Sequence, residues 1–412
     1  MTTPRTANRE RMLPSARALA AAPHRLLFLV GAANVLLAMV WWTAWLLDLR
    51  WQALGMPQPA VPAGWMHALI MQYQVLPSFF FGFLLTVFPR WTGQPELTRW
   101  RYLPVGLGLL GGQALTLAGL LGPAALLHVG ALFTLGGWIA GCSILFALLR
   151  HEHGRTWHAR SAWAALAVGT LGWLFYVLYL YLPDPWLMHA ALKIGAFGLL
   201  LPVYFTVAHR MFPFFAGNVV PGYRGWKPLW LLGAVWPLAL LHLALELARL
   251  PQWTWLADLP LLALSACWLW RNWPRGTAPA LLRVLFLGYA WLPTALAMYA
   301  GQSLWALADG ALPLGRAPAH ALFVGFFGSL LVAMVTRVSA GHSGRVLELG
   351  RIAAVTFVLV QAVALLRIAA ELQADAMAWM AVAAAGWVVA FLPWVLRSAW
   401  IFLTPRIDRR PG

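Results

Sequence analysis

The stretch "PAHALFVGFFGSLLVAMVTRVSAGHSGR", from Pro318 to Arg345, contains an apolar run long enough to cross a lipid bilayer. It carries His320 at one end, and Arg337 and His342 near the other. Imidazole and guanidinium groups are costly in hydrocarbon, so within membrane segments they usually mark functional positions. This stretch therefore predicts a transmembrane helix that holds polar groups at both of its ends.

The composition of the whole chain predicts an integral membrane protein. Of 412 residues, 62% are hydrophobic and 10% are charged, and the mean hydropathy is +0.72. So little polar surface cannot cover a soluble protein of this length. Apolar windows of membrane-spanning length predict an all-α, polytopic membrane protein with twelve helices, at 26–47, 64–89, 102–122, 124–149, 161–182, 186–208, 228–248, 254–271, 280–306, 318–338, 352–372 and 376–402.

The distribution of basic residues predicts the orientation. Arg and Lys collect at both termini and in every second loop, whereas the remaining loops hold only Arg50, Arg249 and Arg316. The positive-inside rule then places both termini in the cytoplasm. We expect a cytoplasmic N-terminal segment at 1–25, a membrane domain at 26–402 and a cytoplasmic tail at 403–412.

The net charge of +17 has a nucleic-acid interpretation, because clustered Arg can neutralise phosphates. The basic residues, however, are distributed over short loops between predicted spans. Membrane topology and anionic lipid headgroups already account for charges placed in this way. We therefore expect the lipid bilayer to be the partner, and no nucleic acid.

Three of the predicted spans begin alike, with His-Ala at His67, His189 and His320. They are spans 2, 6 and 10, so the spacing suggests three four-helix units. In the predicted topology these residues lie near the outer surface, together with His128 and His242. Five of the eleven histidines thus share one layer of the membrane.

A histidine in this layer is suited to binding a metal. The positive end of the helix dipole and the low dielectric both favour the neutral ring, which keeps a lone pair for haem iron or copper. The alternative, for each histidine, is a headgroup-level residue bonded to water. We expect His67 and His320 to be the metal ligands, with His189 and His242 as the next pair.

The residues around these histidines suit a porphyrin, which needs apolar walls and close approach of helices. Phe79, Phe80, Phe81 and Gly82 lie in span 2, and Gly195 and Gly198 in span 6. Span 10 adds Gly325, Phe326, Phe327 and Gly328. Glycines of this kind are equally typical of ordinary helix packing, so both interpretations stay open.

Charged residues within the spans supply further candidates. Lys193 lies one turn from His189, and it would either neutralise a haem propionate or pair with Glu246. Arg367 and Glu371 are expected to form a structural pair within one helix.

At the inner end of span 10, Arg337, His342 and Arg345 share nine residues with two glycines. They are candidates to hold a propionate or a small anion. The three histidines of "RHEHGRTWH", His151, His153 and His158, are expected to be solvated loop residues.

Four stretches of the chain resemble the NnrS family of bacterial inner-membrane proteins. They are "APHRLLFLVGA" at 22–32, "GFLLTVFPRWTG" at 82–93, "HRMFPFFAGNVV" at 209–220 and "HALFVGFFGSLLVAMVTRVSAGHSGR" at 320–345. The resemblance implies twelve spans, haem b and copper as cofactors, and a role in nitric oxide stress or denitrification. It also implies nitric oxide or a metal–nitrosyl species as the ligand. It leaves open whether the protein is an enzyme.

The start of span 2 departs from the family pattern. Where the family is expected to read "HAHEM", this chain reads "HALIM", so His67 and Met71 match but Leu69 and Ile70 replace a His and a Glu. A copper site that needs the second histidine would therefore be absent.

Two alternatives come from other protein classes. The histidines on spans 2, 6, 7 and 10 are similar in placement to those of the large subunit of haem–copper oxidases, but span 10 lacks the paired histidines for oxygen reduction. A proton-coupled secondary transporter would use the intramembrane His, Lys and Glu residues. The similar helices all run in one direction, which disfavours the inverted repeat of many transporters.

Overall fold

A computed structural model of the chain describes residues 14–154 and 156–407. Residues 1–13 of the predicted N-terminal segment, Arg155, and 408–412 of the predicted tail lie outside the described part. Within the described ranges the fold is all-α without strands, as the sequence predicts.

Twelve long helices of the described chain confirm the twelve predicted spans. They are α1 (Pro23–Trp51), α2 (Ala63–Thr92), α3 (Arg99–Leu121), α4 (Ala125–Arg150), α5 (Trp157–Tyr181), α6 (Pro185–Gly217), α7 (Leu229–Leu247), α8 (Trp255–Asn272), α9 (Ala280–Asp309), α10 (Ala317–His342), α11 (Arg351–Ala370) and α12 (Ala376–Leu403). Eleven of these have the length and apolarity of a membrane span, and α8 falls short because its 18 residues include Asp258 and Arg271.

Three helices form the centre of the bundle, and they are those that begin with His-Ala. Within the 18-residue apolar segment of each spanning helix, 89% of the residues are buried in α2, 83% in α6 and 78% in α10. In the other eight helices with the length and apolarity of a span, at most 61% are buried. The remaining helices surround them, with α12 packed on α1 and α11, and α3 on α4. Polar groups near the starts of the three central helices are thereby directed into protein rather than lipid.

Each central helix also contains a π-helical stretch shortly after its histidine. These stretches span Met71–Val75 in α2, Ile194–Leu200 in α6 and Ala321–Gly328 in α10. A π-helical turn accommodates an extra residue and is frequent at functional sites. The shared local structure supports the sequence similarity of the three helices.

Side chains of neighbouring helices bind the backbone carbonyl groups of these stretches. Trp138 Nε1 donates to the carbonyl oxygen of Tyr73 at 2.9 Å, and Asn34 Nδ2 donates to that of Gln74 at 3.2 Å. Lipid offers no hydrogen-bond donor to a displaced carbonyl, so the protein itself must supply one. These bonds fix α2 between α1 and α4 in the layer of His67.

The glycines near the histidines serve helix packing. A Cβ atom at Gly82 would lie 2.7 Å from the Phe28 ring, and one at Gly198 would lie 2.7 Å from Val168. At Gly325 it would collide with the ring of Trp291. Of the two interpretations left open by the sequence, close helix approach is therefore the one that these contacts support.

The two ends of the described chain meet at one face of the bundle. The Ser15 amide donates to the carbonyl oxygen of Leu403 at 2.8 Å, and buried Arg25 donates to that of Thr404 at 2.7 Å. An even number of membrane crossings requires this arrangement. We call this face the inner face, and the opposite one the outer face.

Candidate functional site

A cavity of about 590 Å³ lies in the outer half of the bundle, and both His67 and His320 line it. Its walls come from α1, α2, α6, α9, α10, α11 and α12. The two histidines belong to different central helices whose sequence positions are far apart. The tertiary structure thus brings together the two residues that the sequence analysis ranked first as metal ligands.

The tautomer of His320 follows from its hydrogen bond. Its Nδ1 lies 2.9 Å from the backbone carbonyl oxygen of Arg316, which can only accept. Nδ1 must therefore carry the proton, and in the neutral ring the lone pair is on Nε2. In most metal-bound histidines the other ring nitrogen donates to a carbonyl, a carboxylate or a water in this way, which fixes the orientation of the ring.

His67 has a buried ring nitrogen without a hydrogen bond. Nδ1 of His67 finds no partner among residues 14–154 and 156–407, and the ring stacks on Trp42 at a centroid distance of 4.5 Å. An unsatisfied buried polar atom costs about 1–3 kcal/mol, so such atoms usually have a partner or a ligand. Trp42 fixes the plane of the His67 ring, which lines the cavity.

Three cationic side chains line the same cavity: Lys193, Arg316 and Arg367. Lys193 Nζ lies 2.8 Å from Glu246, and Arg367 lies 2.7 Å from Glu371, so these two are already paired. Arg316 forms no ion pair with any residue that the structure describes. A cofactor with carboxylates would meet Arg316 at the exposed mouth of the cavity.

Sequence reasoning missed Arg316 and assigned Arg367 a structural role alone. The pairing of Arg367 with Glu371 is confirmed, but Arg367 also lines the cavity. A signal for Arg316 was present in the sequence, because it is one of three basic residues on the side that the positive-inside rule leaves almost without them. A basic residue on the side where few are expected, four positions from His320 in a predicted span, could have indicated a functional role for Arg316.

Apolar side chains form the remaining walls, including Trp45, Met71, Phe323 and Trp387. Leu69 and Ile70, which replace the expected His and Glu, are fully buried and do not line this cavity. A histidine at position 69 would therefore have pointed into packed side chains. Its loss removes no group from the cavity.

The residues present fit a haem. The volume lies within the range of about 300–1,000 Å³ that is usual for small-molecule and cofactor sites. His67 on the cavity wall and His320, a second imidazole with an oriented Nε2, supply the candidate ligands. Apolar walls and an exposed guanidinium suit the macrocycle and its propionates.

The residues do not fit a copper site of three or more protein ligands. Across the described ranges, no three His, Cys, Asp or Glu side chains form a group that could hold a metal ion. The second pair of candidate ligands, His189 and His242, lies elsewhere, in contact with Glu246. Nε2 of His189 is 3.0 Å from the carbonyl oxygen of Glu246, and Nε2 of His242 is 3.7 Å from its carboxylate.

His242 belongs to a buried chain of charged groups beside the cavity. Its Nδ1 lies 2.7 Å from Asp258 in α8, and its ring stacks on Phe197 at 3.5 Å. Glu246 then links His242 to Lys193 on the cavity wall. Of the two roles considered for Lys193, pairing with Glu246 is therefore the one that the structure contains. With an imidazolium at His242 this chain of two bases and two acids is neutral, as a low dielectric requires.

The inner-face candidates of α10 contact different helices. The Arg337 guanidinium lies 4.0 Å from the ring centroid of Phe215 in α6, whereas the His342 ring lies 4.4 Å from that of His24 in α1. Nη1 of Arg345 is buried without a hydrogen-bond partner in the described part of the chain. These residues line the inner face, but the contacts do not join all three at one point.

The prediction for "RHEHGRTWH" is wrong for one of its three histidines. His151 and His153 are exposed, as expected, but His158 is buried, with Nε2 2.9 Å from Nδ1 of His209. His158 lies in the first turn of α5 rather than in the loop, and its side chain faces α6. Two buried imidazoles within hydrogen-bond distance of each other are a feature that periodicity did not indicate.

The chain was compared with known protein families and with curated proteins. The family model described as "NnrS protein" matches residues 18–406. A search of curated proteins returned no match. The match covers nearly the whole chain, including all twelve helices and the cavity-lining residues. The chain therefore belongs to the NnrS family, which is linked to the nitric oxide response.

Proposed function

We propose that this protein is a haem-binding membrane protein of the nitric oxide response and that its haem b lies in the outer cavity. The observation that carries the proposal is the convergence of His67 and His320 on one cavity of about 590 Å³. Bound haem would supply an iron centre for transferring electrons, or for binding nitric oxide in place of one of its two imidazoles.

The residues of the cavity have separate roles in this proposal. His67 and His320 hold the iron, and the Arg316 carbonyl oxygen orients His320. The Arg316 guanidinium neutralises a propionate at the mouth of the cavity. Trp42 and Trp387 exclude water from the macrocycle. Lys193 is already paired with Glu246, so it is not a free partner for a propionate.

The proposal places the protein in the bacterial inner membrane with its cavity toward the periplasm. The described chain ends share the face where arginines collect, and the cavity opens on the opposite face. Nitrosative stress and denitrification are the processes in which such a protein would act. Copper stays outside this proposal, because the ligand group that it would need is not assembled.

The test begins with the purified full-length protein in detergent. We expect a Soret band and close to stoichiometric iron after expression with ample haem. His67→Ala and His320→Ala should each change the spectrum, whereas His128→Ala should not, because His128 packs on Tyr181 and does not line the cavity. A preparation without a Soret band, or unchanged spectra in both variants, would exclude this assignment.

A proton-coupled secondary transporter is the second candidate, favoured by the chain Lys193–Glu246–His242–Asp258. Ionisable groups joined by contacts of 2.8, 3.7 and 2.7 Å within a membrane are a typical proton path. Proteoliposomes with an imposed pH gradient would show proton flux, and Asp258→Asn, reconstituted at a temperature at which the variant is still folded, would abolish it. Proton flux by a protein that contains no haem would favour the transporter. A haem-containing protein that shows no proton flux would exclude it.

A further inference from the structure

A second, smaller cavity lies in the middle of the bundle. It has a volume of about 60 Å³ and is bounded by α1, α2, α6 and α10. Phe79 and Phe80 of α2, Ala208 of α6, and Leu331 and Val335 of α10 are among the side chains that line it. It is therefore located between the central helices, where their π-helical stretches have ended.

The small cavity is apolar and has no group that would hold water. The polar atom among its lining side chains is the hydroxyl of Tyr204, which already donates to the carbonyl oxygen of Phe327 at 3.2 Å. A buried water needs about two to four polar partners, and cavities without them stay dry. The size would admit water, but the chemistry disfavours it.

Its volume restricts the guest to very small molecules. A dry apolar cavity of about 150 Å³ binds benzene or xenon. A cavity of 60 Å³ is well below that size. An uncharged atom or diatomic gas fits it, whereas an ion or a hydrogen-bonding substrate would lose its hydration without replacement.

The position of the small cavity relates it to the larger one. On α2, Leu76 lines the large cavity and Phe79 lines the small one. On α10, Gly328 and Leu331 are divided in the same way. Three residues of helix advance about 4.5 Å, so the two cavities follow each other along the same two helices.

The small cavity also approaches the surface of the bundle. Most of its lining is buried, but Val207 and Met334 are half-buried. Uncharged gases dissolve in hydrocarbon, because they lack the polar groups that oppose transfer from water. A gas dissolved in the bilayer could therefore enter beside Val207 and Met334.

We propose that the small cavity is a binding site for an uncharged diatomic gas, held one helical turn from the outer cavity and supplied from the membrane. Its delivery role rests on the proposed haem in the outer cavity, but gas binding does not. In nitric oxide chemistry the site would concentrate the gas next to the iron.

Xenon is the probe for the binding site. Crystals of the full-length protein pressurised with xenon should show the atom between Phe80 and Val335. Ala208→Leu should abolish that signal by filling the space, and Val335→Ile should weaken it with a smaller addition. Ala362→Leu is the matched control, because it makes the same substitution at an exposed position of α11, and it should leave xenon in place. Absence of xenon from the wild-type cavity would overturn the proposal.

Flash photolysis of the nitric oxide complex tests delivery. In the haem-loaded protein, Ala208→Leu should remove the fast phase in which gas returns from within the protein, whereas Ala362→Leu should retain it. If the wild-type protein binds xenon but Ala208→Leu keeps the fast phase, the site does not deliver gas to the haem, and that part of the proposal is overturned. A protein without haem would contradict the proposed function, and the xenon experiment would still decide whether the gas site exists.

Discussion

His320 donates a hydrogen bond from Nδ1 to the carbonyl oxygen of Arg316, 2.9 Å away on the preceding turn. One residue thus orients the imidazole through its backbone, while its side chain lines the cavity that the imidazole faces. Since the backbone contact survives side-chain substitution, the two contributions of Arg316 can be measured separately.

Arg316→Gln should weaken haem binding without changing the ligation of the iron. A charge-assisted hydrogen bond contributes about 1.5–3 kcal/mol, and for an exposed guanidinium we expect the lower end, or roughly a tenfold weaker affinity. Haem titration of the apoprotein measures this change. Arg249→Gln is the control, because Arg249 is exposed and does not line the cavity. An altered spectrum in Arg316→Gln would contradict the division of roles.

His67→Ala should create a space beside Trp42 that a free imidazole can fill. The variant should lose the wild-type haem spectrum and regain it when imidazole is added, because the small molecule replaces the missing ligand. Absorption spectra over an imidazole titration measure the rescue. His128→Ala should be indifferent to imidazole, and failure of His67→Ala to respond would indicate that His67 is not a ligand.

Asp258→Asn should strongly destabilise the protein, because it leaves His242 buried beside a neutral amide. Removing one partner of a buried ion pair typically costs about 3–5 kcal/mol. Thermal unfolding in detergent should show a clear loss for Asp258→Asn and little change for Glu348→Gln on an exposed loop. Replacing both partners, with His242→Leu and Asp258→Leu, should restore part of the stability, since apolar replacement of a buried pair is often neutral.

Trp138→Phe should destabilise α2 at its π-helical stretch. The substitution keeps most of the buried ring but removes the donor to the Tyr73 carbonyl oxygen. Hydrogen bonds between membrane helices contribute about 0.6–1.7 kcal/mol, so a loss of this size is expected. Trp270→Phe is the matched control, because Trp270 is 64% exposed. Equal effects in both variants would show that the carbonyl finds another donor.

Leu69→His should not create a copper site, although it restores one family residue. Position 69 is fully buried and does not line the cavity, so the imidazole would lack partners and cost about 1–3 kcal/mol of stability. Met71→His, which places an imidazole on the cavity wall, is the comparison. Metal analysis after copper loading measures both. Copper bound by Leu69→His alone would show that the local packing differs from this structure.

The amino-acid order was sufficient for the class and the number of helices, and it singled out His67 and His320, which line one cavity in the structure. Membrane spans make all their backbone hydrogen bonds locally, so apolar length predicts them without knowledge of their neighbours. The repeated His-Ala starts also identified α2, α6 and α10, although it was packing that showed them to be the central helices. Periodicity carries no information on the distance between helices, which explains why the pairing of histidines had to be left open.

Contacts between distant segments settled what each polar group does. Arg316 and Arg367 line the same cavity as His67 and His320, His242 turns to Asp258, and His158 turns to His209. The two histidines of the cavity, and the partners in the other two contacts, come from different helices, so their approach depends on the packing of the whole bundle. The composition of each segment determines whether it enters the membrane. The free energy of packing between helices determines which histidines line a cavity and which lie beside a carboxylate.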